Sequence, residues 1–331
     1  MSFIFNERRE TNVLKKIALN ALDRVEILTL QDNTIDITMM DNSAVVQRAM
    51  AIKEGQIRNS ILAEHGFSAL VKTTAAGKTR TLLFDFGYSE EGAAYNARAL
   101  NADLTQVEAL ALSHGHSDHM GGFAALTAMI GKKGLPFYVH PGIFKTPRYV
   151  KYGEGLKFDF PTITRESLEQ AGVNIVEAKA PVTLLDGDVG FLGEIERVTD
   201  FEKGFPIAFF QEDAVEKWDP IEDDTAVVMN LKGKGLIVLS GCAHSGVVNT
   251  VRHAQAVTGV EKVHAVMGGF HLSGPFFEPI VGRTTEELRK LAPDYVIPTH
   301  CTGRKAILYM ENAMPEQFIL NMSGTKLTFA A

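Results

Sequence analysis

The stretch Ser113-His114-Gly115-His116-Ser117-Asp118-His119 constrains this chain most, because it sets three histidines and an aspartate directly after the apolar run Val107 to Leu112. Side chains alternate along an extended backbone, so His114 and His116 point the same way and can share one ion. Asp118 and His119 fall where the chain turns toward a helix, and they face a second position beside the first. Imidazole with carboxylate suits borderline divalent ions. Two are expected, zinc first, with manganese or iron also suited. Chance is a poor explanation, since the 331 residues include only ten histidines.

Residues of the same kinds recur after apolar runs in the second half. They are Cys242 and His244 in Gly241-Cys242-Ala243-His244-Ser245-Gly246, His271 in Gly268-Gly269-Phe270-His271, and His300 in Pro298-Thr299-His300-Cys301. Each run ends in small residues before a helical pattern, which predicts a site at the carboxyl ends of strands, where α/β proteins place them. Ser245-Gly246 and Thr302-Gly303 open helices whose free N–H groups favour anions, and Arg304 and Lys305 stand beside the second.

The pattern His-x-His-x-Asp-His resembles the metallo-β-lactamase superfamily. The stretches around Cys242, His271 and His300 resemble its dihydropteroate-synthase-like branch, which includes the dihydropterin-methyl-ribofuranosyl-aminobenzene-phosphate synthases. The resemblance implies an α/β fold, an αββα four-layer sandwich with metals at one edge of two sheets, forming a single domain over 1–331 with insertions near 40–60 and 144–222. It further implies that His300 completes the second metal position, that Asp85 orients the histidine loop through hydrogen bonds, and that Asp32-Asn33 is an active-site pair on the substrate side.

Two departures from that pattern follow. No histidine occurs between His140 and His244, so one ligand comes from elsewhere, with His244 the first choice and Asp223 or Asp224 the weaker ones. Cys242 stands where most members have a bridging aspartate. A thiolate serves zinc well, and an inert core cysteine is the equal alternative. Asp118 is assigned proton transfer as well as ligation, His271 is a catalytic candidate that either faces the substrate or supports a ligand, and His140 is read as structural.

Elsewhere the periodicity of Val13, Leu14, Ile17, Ala18, Ala21 and Leu22 predicts an amphipathic helix over 8–23, followed by a strand from Val25 to Leu30. Val45, Val46, Ala49 and Ile52 repeat at helical spacing in 40–60. Phe67 to Thr73 and Arg80 to Phe86 read as a hairpin. Gly77-Lys78-Thr79 is not a phosphate loop, because the segment turns from strand to strand. Residues 144–160 interleave Lys145, Arg148, Tyr149, Lys151 and Tyr152, the pattern of a solvated surface face or else of a lid for an anionic, ring-bearing substrate, with Arg148 or Lys151 as a phosphate partner. Residues 198–222 carry Phe201, Phe205, Phe209, Phe210 and Trp218, which suits a pocket wall or a homodimer contact.

A hydrophobic fraction of 45% supports a large core, and a net charge of -7 argues against a nucleic-acid partner. Met1 to Glu10 has polar and charged residues where a signal peptide needs an apolar core, and no run is long enough to cross a bilayer. The only two cysteines form no Cys-x-x-Cys pair. A cytoplasmic setting is expected. The first functional expectation is a binuclear metal-dependent hydrolase, with metal-activated water attacking an ester of a small anionic substrate, a phosphate ester first. Behind it stand a dihydropterin-type transferase and a non-catalytic metal or ligand sensor.

Overall fold

Apolar runs in the β segments are continuous rather than alternating, as strands covered on both faces require. In Ala226–Leu231, Val227 and Met229 enter one core cluster while Ala226 and Val228 enter another. Gly235–Ser240 divides the same way, Ile237 and Leu239 against Leu236 and Val238. In Lys78–Phe84, Leu82 and Phe84 join the first cluster and Leu83 a third. The period of two therefore sorts each strand into two packing layers. The computed structural model describes residues 14–50, 52–57, 60–153 and 155–331.

Two sheets face each other across the shared cluster. The eight-stranded sheet runs in spatial order Val173–Glu177, Leu135–Val139, Ala109–Ala111, Lys78–Phe84, Ser68–Ala75, Arg24–Gln31, Lys326–Ala330 and Val46–Gln47. The seven-stranded sheet runs Val182–Leu184, Val189–Phe191, Ala226–Leu231, Gly235–Ser240, Val263–Gly269 and Tyr295–Thr299, with Ala21–Leu22 added beside Ala226–Leu231. Helices Gly92–Ala99, Phe123–Ile130 and Arg165–Gln170 cover the first sheet through Ala93, Phe123 and Leu168. Helices Val247–Thr258, Val281–Leu291 and Arg304–Ala313 cover the second through Val251, Leu288 and Met310. The layers are thus helix, sheet, sheet, helix, as expected.

Three local expectations fail. Leu14 to Asn20 are not helical; the chain is extended into Ala21–Leu22, which pairs in parallel with Asn230 and Leu231, and Ile17 N–H donates to the Val257 carbonyl at 2.9 Å. The apolar spacing there reflects burial of Ile17 and Leu22 against the second sheet. The rest of that expected helix, 8–13, lies outside the described residues. Region 40–60 forms the short strands Val46–Gln47, Ile52–Lys53 and Gln56–Ile57, because Val46 pairs with Leu327 and the chain reverses through left-handed Glu54 and Gly55. The expected lid is instead an antiparallel four-stranded sheet of Lys157–Asp159, Arg148–Lys151, Ala208–Glu212 and Val215–Trp218. Its central pairing sets Arg148 opposite Phe210, a contact between distant segments that local patterning does not encode. Among the described residues, no helix is long and apolar enough to cross a membrane.

Backbone meets backbone beside the metal loop, where Gly121 N–H donates to the Gly87 carbonyl at 2.8 Å. A Cβ on Gly121 would strike the Tyr88 carbonyl. Gly121→Ala is expected to lower stability by about 1–3 kcal/mol, the usual range for overpacking, read as a shifted denaturant midpoint with an unchanged slope.

Candidate metal centre

Every candidate ligand comes from a loop at the carboxyl end of a strand. Ala109–Ala111 leads into His114, His116 and the turn Ser117–His119. Gly235–Ser240 leads to Cys242 and His244, Val263–Gly269 to His271, and Tyr295–Thr299 to His300. Asp85, Ala243, His271 and His300 have φ values of 58°, 49°, 45° and 45°, in the left-handed region that costs a non-glycine residue of order 1–3 kcal/mol. These sharp turns aim the side chains inward.

The donors gather into two separate groups and a third that overlaps both. His114, His116 and His244 form one, and Asp118, His119, Cys242 and His300 form the next, with donor atoms in each group all within 4.8 Å of one another. Cys242 and His244 also meet His271 in the overlapping group. In the first group the ring centroids lie 4.5–4.8 Å apart. In the second, His300 Nε2 lies 3.0 Å from Asp118 Oδ2, and His119 Nε2 lies 3.1 Å from Cys242 Sγ. His244 thus stands with His114 and His116, where a further histidine was needed. Cys242 lies among the ligand atoms, buried but chemically placed.

The nitrogens fit divalent ions. His114 Nε2, His116 Nε2 and both His244 ring nitrogens are buried with no hydrogen-bond partner, a cost that ligation would remove. Burial holds His114 and His244 well below the usual imidazole range, and burial together with the nearby Arg148 charge pushes His116 down to about 3. All three are therefore neutral bases at neutral pH, the form that binds metal. Burial opposes ionisation of Asp118, yet His119 and His300 hold its carboxyl well below the usual range. His119 is the exception. Burial alone would lower it, but Asp85 and Asp118 raise it to about 9.

Buried carboxylates hold these loops in place. Asp85 accepts the Ser113 N–H at 2.7 Å and the Ser113 hydroxyl at 2.8 Å, and it lies 2.7 Å from His119 Nδ1, leaving Nε2 for the site. Asp223 accepts the Gly115 N–H at 2.8 Å, between the first two histidines. Asp224 accepts the Ser245 N–H at 2.8 Å, and burial pushes its carboxyl up to about 6. Neither Asp223 nor Asp224 belongs to a donor group.

Several residues expected at the substrate have other surroundings. Arg148 is buried, with its guanidinium against Asp219 at 2.6 Å and against Asp223 at 2.9 Å and 3.0 Å. It is no free phosphate partner, because two carboxylates consume its donors. Asp32 is also buried; it accepts the His300 N–H at 2.9 Å and the Asn321 side-chain N–H at 2.7 Å. Asn33 is exposed and its Oδ1 accepts from His300 Nδ1 at 2.9 Å, so the Asp32-Asn33 pair orients a ligand. Arg304 is exposed at the start of its helix, and Lys305 pairs with Glu278. The helix opened by Ser245-Gly246 already has its anion: Glu202 accepts the Val248 and Asn249 N–H groups at 2.9 Å each.

The sequence reading missed three side chains. His65 lies 3.5 Å from Asp118 Oδ2, with its ring 4.6 Å from that of His300, and its side chain is 61% exposed. Phe160 stacks on His116 at 4.3 Å and 18°. Glu202 is the third. The only local signal was the histidine before Gly66-Phe67, with no ligand-like spacing around it.

Asp85→Asn is expected to weaken divalent-metal affinity about 10–100-fold in a chelator competition, while the circular dichroism spectrum stays unchanged. Arg148→Met leaves Asp219 and Asp223 buried without their cation, so a loss of about 3–5 kcal/mol is expected in thermal or denaturant unfolding.

The sequence model of the metallo-beta-lactamase superfamily matches residues 63–248. The chain is 34% identical, over 77% of its length and 85% of the relative's, to the 7,8-dihydropterin-6-methyl-4-(beta-D-ribofuranosyl)-aminobenzene-5'-phosphate synthase of Methanocaldococcus jannaschii. It is 28% identical over 74% of its length to 86% of an uncharacterized protein of the same organism. In three dimensions it is similar to Tm1679, a metal-dependent hydrolase of the beta-lactamase superfamily, with a TM-score of 0.69 at 22% identity, covering 93% of this chain and all of that one. That last likeness concerns the fold alone. The hydrolase reading is corrected by the 34% relative, which is a synthase. The ligand set that activates water can equally hold a diphosphate, so the residue pattern did not separate the two. Fold, donor groups and sequence agree that the chain is an enzyme that belongs to the metallo-beta-lactamase superfamily.

Proposed function

We propose that this enzyme joins a dihydropterin to an arylamine: the 6-methylene carbon of a dihydropterin methyl diphosphate bonds to the amino nitrogen of a 4-(β-D-ribofuranosyl)aminobenzene 5'-phosphate. The carbon–oxygen bond to diphosphate breaks, the carbon–nitrogen bond forms, and the nitrogen gives up a proton. The observation that carries this reading is the 34% identity, over 77% of the chain, to a synthase named for that product.

The site's chemistry supports it. His114, His116 and His244 would hold one divalent ion, and Asp118, His119, Cys242 and His300 a second, with zinc suited to this nitrogen, sulfur and oxygen set. When bound, such ions act as Lewis acids that neutralise the charge gathering on a departing diphosphate. The chain's own groups do the rest. Asp118 Oδ2 is the proton acceptor for the amine nitrogen. His65, close to that oxygen and largely exposed, carries the proton out to solvent. His271, partly buried with an unpartnered Nδ1, lies between the donor cluster and the neighbouring aromatic side chains and faces the substrate.

The test supplies both substrates with zinc, manganese or ferrous ion and follows product and diphosphate by chromatography. Coupled product together with diphosphate is expected, and His116→Ala should lose about 90% of it or more, as removal of a ligand does. Release of the dihydropterin alcohol without coupling, under every metal, would overturn the proposal.

A further inference from the structure

A cavity of about 390 Å³ opens beside His244 and His271, within the range of small-molecule sites and at its lower end. Phe276, Phe277 and Trp218 line it, with Glu202 and Lys203 as its charged members. The two charges differ in depth: Glu202 is buried, Lys203 exposed. Glu202 Oε2 accepts from Asn249 N–H at 2.9 Å and from the Thr199 hydroxyl at 3.1 Å, while among the described residues Oε1 accepts only the Val248 N–H at 2.9 Å. A carboxylate has about four acceptor positions, so Oε1 keeps capacity for another donor. Its place is enforced by Gly246, where φ is 96° and a Cβ would collide with the Glu202 carboxyl.

On the strength of the function proposed above, we infer that this cavity is the subsite for the uncharged dihydropterin ring, and not for the arylamine ribose phosphate. The ring is flat, so it stacks on Phe276, Phe277 and Trp218. Its aminopyrimidinone edge carries N–H donors, one of which the open acceptor position on Glu202 Oε1 can take. A phosphate dianion would meet that same carboxylate with like charge. With the donor edge inward, the methylene and its diphosphate point outward to His244, His271 and Lys203, toward the donor groups. The arylamine phosphate then approaches from the other side of the histidines, where His65 and Asn33 are exposed.

Trp218 is the only tryptophan and is 44% exposed, so its emission reports on this cavity alone. The zinc-loaded protein is titrated with three probes: 6-hydroxymethyl-7,8-dihydropterin, the arylamine ribose phosphate and inorganic diphosphate. Saturable quenching by the dihydropterin alone is expected, with dissociation constants raised about tenfold in Phe277→Ala and Glu202→Gln. Calorimetry on Trp218→Phe should show dihydropterin binding retained without the optical signal. Phe276→Ala, at a 44% exposed position, carries the test if Glu202→Gln does not fold. Quenching by the arylamine phosphate instead, or dihydropterin affinity unchanged in Phe276→Ala and Phe277→Ala, would overturn the assignment. If coupling occurs while those variants keep the wild-type KM for the dihydropterin, the subsite is wrong and the reaction right. If the dihydropterin binds here but no coupling occurs, the reverse holds.

Discussion

Buried carboxylates that accept backbone N–H groups hold the ligand loops of this protein. Asp85 takes Ser113, Asp223 takes Gly115, Asp224 takes Ser245, Asp32 takes His300, and Glu202 takes Val248 and Asn249. Each lies in the interior, where an unpaired carboxylate would cost several kcal/mol and a loop N–H without an acceptor a further ~1–3 kcal/mol. Pairing the two removes both costs. Irregular backbone can then pass through the protein's interior at the ends of the strands, and it is this backbone that presents the histidines.

The same clamps tie the small four-stranded sheet to the site. Arg148 lies on that sheet and grips Asp223, which in turn holds the peptide between His114 and His116. Phe160, at the far end of the neighbouring strand, stacks on His116. The small sheet is therefore a buttress for the histidine loop more than a cover over it. The basic residues in and beside it are mostly spent on carboxylates: Lys145 pairs with Glu222 and Lys151 with Glu216. This explains why a pattern of cations and rings, read locally as a substrate lid, has little charge to offer a phosphate.

Much of the scaffold was legible because it depends on local period. The paired strands around Ala75 and Lys232, the helices after Gly92, Gly246 and Gly303, and the four-layer arrangement follow from alternation, glycine placement and continuous apolar runs. The failures share one cause. Ile17, Val46 and Arg148 owe their conformation to Val257, Leu327 and Phe210, partners 240, 281 and 62 positions away. Helical spacing of apolar residues cannot distinguish a helix from an extended segment whose burial is dictated from elsewhere.

By itself, the sequence determined the chemistry of the centre, since His114, His116, Asp118 and His119 are close in the chain and their alternation leaves few ways to arrange them. Tertiary structure decided which distant groups join them. His244 sits with the first two histidines, Cys242 and His300 with the second pair, while Asp223 and Asp224 bond to backbone instead. It also made Asp32 and Arg148 buried supports, tied the exposed Asn33 to His300, and brought His65 and Glu202 to places no spacing announced. The reason is geometric. Short-range order along a strand or helix fixes the direction of neighbouring side chains, but the meeting of loops from two sheets depends on the packing of the whole core.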